Sequence, residues 1–405
     1  MSVTLDDVVH ARERIAGAVQ LTPCTRSAAL SDLCGFSLYL KHDYQQRTGS
    51  FKERGARNAL LMLDDKQRAR GVIAASAGNH ALGLSYHGHL LGVPVTVVMP
   101  VLSPLIKSET CKSFGAKVLL HGENIAEAKC FADDLAARDG LTYINGYDDA
   151  AIIAGQGTIG LEILEQTPHA DAIVVPVGGG GLIAGIALAV KSNRDDIEIL
   201  GVEPSHAASF HQALTSGEPV MTEVSPTLAD GLAVPKVGPR SFTVARDRID
   251  EMLIVEEDHI AAAILKLVEL EKCVVEGAGA AGVAACLSGK LKRLRGKTVV
   301  AVLCGGNIDP LILSRAMERG LVINGRICRF TATISDRPGG LAELTALIAS
   351  LGASIKEVVH DRTFAGPNLW SVNVHCTIET RDMQHREMCF ARMSEAGVQL
   401  LNRDL

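Results

Sequence analysis

No stretch of this 405-residue chain holds the roughly 18 to 20 consecutive apolar residues that a membrane span requires. Its Lys and Arg are scattered and its formal net charge is −6, so it has no basic stripe of the kind that grips nucleic acid. The ten cysteines (24, 34, 111, 130, 273, 286, 304, 328, 376 and 389) form no CxxC pair and no zinc or iron–sulfur spacing. They are expected as reduced, mostly buried thiols, which points to the cytoplasm. A basic start followed by an apolar block, the mark of a secretory leader, is also missing. Ser2–Gln20 instead sets Val8, Val9, Ile15 and Val19 at helical period, with Thr4 and Asp7 as a capping pair. Low-complexity linkers and short repeats are absent. What remains is 47% apolar and 21% charged, the balance of a protein with substantial cores, at a length suited to two or three units.

From about Arg70 to Asn307, short β-branched runs alternate with longer helical stretches. Strands are expected at Gly71–Ala75, Val93–Met99, Lys117–Leu120, Asp171–Val177, Glu198–Val202 and Thr298–Leu303. Helices are expected at Ala81–Leu91, Ile125–Arg138, Leu182–Lys191 and His259–Glu271. Such alternation implies an α/β fold of parallel sheets covered by helices, with ligands gathered at the carboxyl ends of the strands. The pattern changes near Leu321. Strand, Gly-Gly turn, helix, two strands and a helix then suggest a small α+β unit of ferredoxin-like order, with the boundary at about residue 322.

Four motifs could carry chemistry. In Thr48-Gly49-Ser50-Phe51-Lys52-Glu53-Arg54-Gly55-Ala56, Ser50 and Glu53 make a capping box that puts Lys52 in the first turn of a helix. The helix dipole and burial would both depress the lysine pKa and favour a nucleophilic neutral amine. A solvated surface lysine is the alternative. Ser76-Ala77-Gly78-Asn79-His80 follows a strand and opens a helix, where backbone N–H groups suit a carboxylate. It also fits an ordinary turn with a helix cap, with His80 a hydrogen-bonded core histidine.

Gly178-Gly179-Gly180-Gly181-Leu182 places four glycines between a buried strand and a helix. That is costly in backbone entropy, and expected where amides wrap a phosphate. Gly179, Gly181 and Ala184 also satisfy G-x-G-x-x-A, with Glu203 ending the next strand, so a nicotinamide oxidoreductase competes here. That competitor leaves Lys52 and Asn79 without a task. Cys304-Gly305-Gly306-Asn307 puts a thiol at the end of a strand, or simply a buried cysteine before a tight turn.

In this order the motifs resemble the fold-type II pyridoxal-phosphate enzymes (tryptophan synthase β-like), above all the threonine dehydratase group with its serine dehydratase and serine racemase relatives. Gly155-Gln156-Gly157-Thr158 and Ala229-Asp230-Gly231 stand at family-like spacing too. The resemblance implies a catalytic domain over 1–321, with a small subdomain of about 50–150 inserted. The tail 322–405, with Asp336-Arg337-Pro338-Gly339-Gly340-Leu341, is similar to an ACT regulatory domain.

The resemblance also implies roles. Lys52 would carry pyridoxal 5′-phosphate as a Schiff base and take the α-proton. Phe51 and Gly231 would flank the ring, and Asn79 would meet its hydroxyl. The amides of Gly178, Gly179, Gly180, Gly181 and Leu182 would hold the phosphate. Ser76, Ala77, Gly78, Asn79 and His80 would grip the substrate carboxylate. Cys304 would face the pyridine nitrogen, where relatives often have Ser. Glu276 aligns with a family glutamate near the cofactor, or caps a helix.

The implied reaction removes water and ammonia from L-threonine, and from L-serine. Another β-hydroxy amino acid such as 3-hydroxyaspartate, or serine racemisation, is the alternative. Ala77 stands where racemases carry a second serine, which disfavours racemisation. No metal site is expected: Glu203 has Ala208 and Ser209 where relatives place a second acid, and reads as a structural or capping acid. A homo-oligomer, dimer or tetramer, and an amino-acid effector at the tail are the implied partners.

Overall fold

The computed structural model describes residues 3–103, 105–362 and 370–404, with side chains up to 402. Met1 and Ser2, where the first helix was expected to begin, lie outside them. That helix runs Leu5–Ile15, with Thr4 and Asp7 forming the expected capping box. The chain divides into two units, Met1–Asp309 and Pro310–Leu405. The change of pattern near Leu321 coincides with the end of a helix, Pro310–Ile323, that belongs to the second unit.

The first unit contains ten strands: β1 (Cys24–Ser27), β2 (Ser37–Lys41), β3 (Val72–Ala75), β4 (Val95–Met99), β5 (Lys117–Leu120), β6 (Thr142–Tyr143), β7 (Ala172–Pro176), β8 (Glu198–Pro204), β9 (Glu251–Val255) and β10 (Thr298–Val302). One sheet has the order β1-β2-β10-β7-β8-β9, parallel except where β1 meets β2. The other, β5-β4-β3-β6, is all parallel, and its strands fall in sequence between β2 and β7. β7 is buried along its whole length, as a strand covered by helices on both faces must be. β1 and β2 escape the sequence pattern because one is a half-polar edge and the other alternates partly exposed with buried residues.

The helix Ala150–Gln166 was not expected either. Twelve of its residues are buried, so it has no polar face to give a period. Its glycines let neighbours approach to backbone contact. A Cβ on Gly155 would lie 2.6 Å from the Gly55 Cα, and one on Gly157 would lie 2.9 Å from the Gly185 carbonyl oxygen. The helices Lys52–Leu61 and Gly181–Lys191 are thereby seated on this central one.

In the second unit, β11 (Ile327–Ser335), β12 (Ser354–Asp361), β13 (Ser371–Glu379) and β14 (Gln399–Asp404) form an antiparallel sheet ordered β12-β13-β11-β14. The helices Gly340–Ser350 and Met383–Glu395 contribute Leu344, Ile348 and Phe390 to a core with Phe330, Val372 and Val374. β14, a short polar strand missed by pattern, completes the βαββαβ order of a ferredoxin-like unit.

Candidate active site

Lys52 is the first residue of its helix, but the expected capping box does not form. Ser50 Oγ is buried without a partner. The Glu53 carboxylate instead accepts from the Thr48 amide and pairs with His87 Nε2 at 3.1 Å. Glu53 is buried, and its partners are the Thr48 amide just before the helix and His87 from a neighbouring helix rather than Ser50.

The Lys52 amine donates to the Gly146 carbonyl oxygen at 2.6 Å and lies 5.0 Å from the centre of the Phe51 ring. Burial pulls its pKa from 10.5 to about 8, against the pull of Cys304 and Glu276. Desolvation is the larger effect, so the depression expected from sequence is present.

The other motifs converge on this amine. Ser50 bridges Gly305, Phe51 N–H donates to the Cys304 carbonyl at 3.0 Å, and Gly306 N–H donates to Gly49 at 2.9 Å. These backbone bonds lace the first motif to the fourth. Asn79 Nδ2 donates to Glu276 Oε1 at 2.7 Å, and Asn307 Nδ2 donates to Asn79 Oδ1 at 2.8 Å, which adds the second motif. Glu276 precedes the helix Gly277–Leu287 without capping it with its side chain, so of its two expected roles the capping one fails. Burial raises its pKa to about 7. A Cβ on Gly231 would come within 3.7 Å of the same Oε1, and one on Gly305 would overlap it at 2.2 Å. The Cys304 thiol is buried and held well above its ordinary pKa, hence protonated.

The glycine run reaches the amine through a loop that sequence reasoning missed. Asn145 Oδ1 accepts from the amides of Tyr147 and Asp148, folding residues 145–148 into a tight turn. Gly146 in that turn holds Lys52, and the Tyr147 ring lies where a Cβ on Gly179 would sit 2.3 Å away. Gly180 is left-handed (φ +94°) and opens the helix Gly181–Lys191. No acceptor on the described residues meets the amides of Gly178, Gly179, Gly180, Gly181 or Leu182. The Asn-Gly pair after a strand was the signal that a turn stood here.

His80 turns inward. Its ring bonds the Ile144 carbonyl oxygen at 3.1 Å, and burial lowers its pKa to about 4, so it is a neutral core histidine. Gly78, by contrast, has open space where a side chain would project. Ala77 is partly buried against the core of the smaller sheet, and Ser76 Oγ accepts from the Gly78 amide. Glu203 is buried with its carboxylate accepting from the amides of Phe210 and His211, at 2.7 and 2.8 Å. It is a capping acid.

A buried ionic quartet also went unseen. Arg54 bonds both oxygens of Asp43 and both of Glu162, and Lys41 bonds Glu162. Two cations and two anions cancel, and they fix the start of the lysine helix to β2 and the central helix. The sequence clue was Glu162 inside an otherwise apolar stretch.

Residues 15–305 match the family described as pyridoxal-phosphate dependent enzyme. The chain belongs to that family. Over 385 residues, 95% of this chain and 96% of its relative, it is 42% identical to the L-threonine ammonia-lyase of Thermotoga maritima. Among solved structures it is similar to processed threonine deaminase isoform 2 of Solanum lycopersicum, with TM-score 0.74, 37% identity, and 78% of this chain and 86% of that one covered. It is also similar to maize serine racemase, with TM-score 0.75, 33% identity, and coverage of 80% and 99%.

The site of this pyridoxal-phosphate dependent enzyme suits its cofactor. Five amides with no acceptor among the described residues, at a helix N-terminus, match a phosphate dianion, and a desolvated amine stands ready for an aldehyde. Gly179 and Gly181 leave no room for a side chain, as both abut Tyr147. Among the described residues no helix is long and apolar enough to cross a membrane.

Proposed function

We propose that the protein is an L-threonine ammonia-lyase, releasing 2-oxobutanoate and ammonia from L-threonine and, as a second substrate, pyruvate and ammonia from L-serine. The observation that carries this is the Lys52 amine, pulled down to about pKa 8 by burial and tied to the unpaired glycine amides by the Gly146–Tyr147 turn. The 42% identity to the Thermotoga maritima ammonia-lyase across nearly the whole chain supports the choice of substrate.

In this proposal the amides of Gly178 to Leu182 hold the cofactor's phosphate. Asn79 would meet the ring hydroxyl, Phe51 and Gly231 would flank the ring, Glu276 would lie near it, and Cys304 would face the pyridine nitrogen. Pyridoxal phosphate, when bound, supplies the electron sink for the pair left at the substrate α-carbon. The loop Ser76, Ala77, Gly78, Asn79 and His80 orients the substrate carboxylate through its amides. Lys52 would carry the cofactor and take the α-proton. A pKa of about 8 rather than 10.5 raises its neutral fraction at pH 7 by about a few hundredfold.

The protonated Cys304 thiol would not hold a proton on the pyridine nitrogen as a carboxylate would, an environment that would favour prompt loss of the β-hydroxyl. Ala77 has no proton to deliver to the opposite face, which separates this chain from a racemase. The water lost in elimination is regained when the released enamine hydrolyses to the 2-oxo acid and ammonia.

For the second unit we propose an ACT-like regulatory role, with an amino-acid effector at the Gly339-Gly340 helix start and assembly into a homo-oligomer in the cytoplasm. Unchanged kinetics and no binding in a titration with isoleucine and valine would remove those two as effectors.

The purified protein, saturated with pyridoxal phosphate, should show a visible absorbance band that borohydride abolishes. It should form keto acid from threonine faster than from serine or 3-hydroxyaspartate, with negligible D-serine. No keto acid from threonine, or serine racemisation outpacing elimination, would sink the assignment.

A further inference from the structure

Asn307 closes the Cys304-Gly305-Gly306 turn, and no task has yet fallen to its side chain. Its Nδ2 donates to two oxygens, the main-chain carbonyl of Thr48 at 2.7 Å and Asn79 Oδ1 at 2.8 Å. A main-chain carbonyl can only accept, so the end of Asn307 facing Thr48 must be its –NH2. That –NH2 also meets Asn79, so Asn79 must present its oxygen there. The –NH2 of Asn79 is then left facing Glu276, where it donates at 2.7 Å. One backbone carbonyl thus settles the orientation of two amides in succession.

The surroundings are shaped to this arrangement. Gly49 is left-handed (φ +77°), and a Cβ there would fall 2.4 Å from Asn307 Oδ1. Its carbonyl accepts from Gly306 N–H, so the segment leading to Lys52 is bound to the same turn. The Glu276 amide donates to the Gly305 carbonyl at 3.1 Å, so the carboxylate's own backbone is tied to the same turn.

We propose that Asn307 is a positioning residue, which fixes the donor end of Asn79 toward Glu276 and the cofactor pocket. It touches neither substrate nor reacting atoms and acts through Asn79. The inference rests on the functional proposal only in taking this pocket to be the cofactor's. Without Asn307, the Asn79 amide is free to rotate and set its oxygen against the carboxylate, which would favour the protonated acid. The other charged or titratable groups facing Glu276 are Lys52 from its helix, Lys107 from the helix Leu105–Ser113, Asp230 from the turn Asp230–Leu232, and Cys304.

A double-mutant cycle on the full-length protein tests this. The dissociation constant of pyridoxal phosphate is measured from pH 6 to 9 for wild type, Asn307→Ala, Asn79→Ala and the double variant. Asn307→Ala should weaken binding at least about tenfold and move the pH midpoint upward. In the Asn79→Ala background the same change should alter binding by less than about twofold. Independent, multiplicative losses, or an Asn307→Ala pH profile superimposable on wild type, would overturn the proposal. Should Asn307→Ala not fold, Asn307→Ser, which keeps a single donor, is judged by the same two criteria. Wild-type protein that takes up no pyridoxal phosphate sinks the functional proposal and this one together. Normal wild-type uptake with additive losses sinks this one alone.

Discussion

Lys52 Nζ and the Gly146 carbonyl oxygen stand 2.6 Å apart, a contact between residues 94 positions apart in sequence. The carbonyl favours the ammonium form, yet burial outweighs it and leaves the amine at about pKa 8. The folded pKa lies below the unfolded one. Between about pH 8 and 10.5 the unfolded chain therefore binds the extra proton, and this group makes stability rise with pH across that window.

The same value sets the pH dependence of cofactor capture. Stopped-flow absorbance should show the rate climbing about tenfold per pH unit below 8 and levelling above it. Lys52→Ala should give no borohydride-sensitive band and lose at least about 10⁴ in kcat, while remaining folded. A rate flat from pH 6 to 10, or one still climbing at pH 10, would show that Lys52 is not the group being titrated.

Gly179→Ala drives a methyl group into the Tyr147 ring, 2.3 Å away. Because Tyr147 follows Gly146 in one turn, the displaced ring should also drag the carbonyl from Lys52. Pyridoxal phosphate affinity should fall by about tenfold or more, with the circular dichroism of the protein unchanged. Wild-type affinity in this variant would mean that the ring yields freely and the turn does not couple cradle to lysine.

Arg54→Met leaves Asp43 and Glu162 buried, with their principal cation gone. Breaking such a network costs about 3–5 kcal/mol, or a fall in Tm on the order of 10 °C. Arg54→Lys should recover little, since one ammonium cannot address two carboxylates in parallel pairs. Calorimetry of the three proteins decides it: a change in Tm below about 2 °C for Arg54→Met would mean that the quartet adds nothing that apolar packing cannot replace.

Sequence order made the parallel sheets legible, because β3, β4, β7 and β10 are short runs rich in valine or isoleucine set between helical stretches. It also exposed Lys52, Asn79 and the glycine run, since each sits at a helix start with a recognisable chemical use. The failures share a cause. Ser50 and Glu53 matched a capping pattern, yet Glu53 turned to the Thr48 amide and to His87 on another helix, a pairing that the local pattern does not encode. The helix Ala150–Gln166 carried no period because it has no wet side. Asn145, Gly146 and Tyr147 matter through contacts to Lys52 and Gly179 that no local pattern encodes.

The crowding where helices cross has a practical outcome for anyone hardening this enzyme against heat. Replacing helical glycine by alanine normally gains about 1 kcal/mol. Here the gain is forfeited at 55, 155, 157 and 185, where neighbouring atoms already occupy the methyl's place. Gly282 is different: a methyl there would meet Val174 at an ordinary 3.6 Å. Engineering should start at that position and leave the crossings alone.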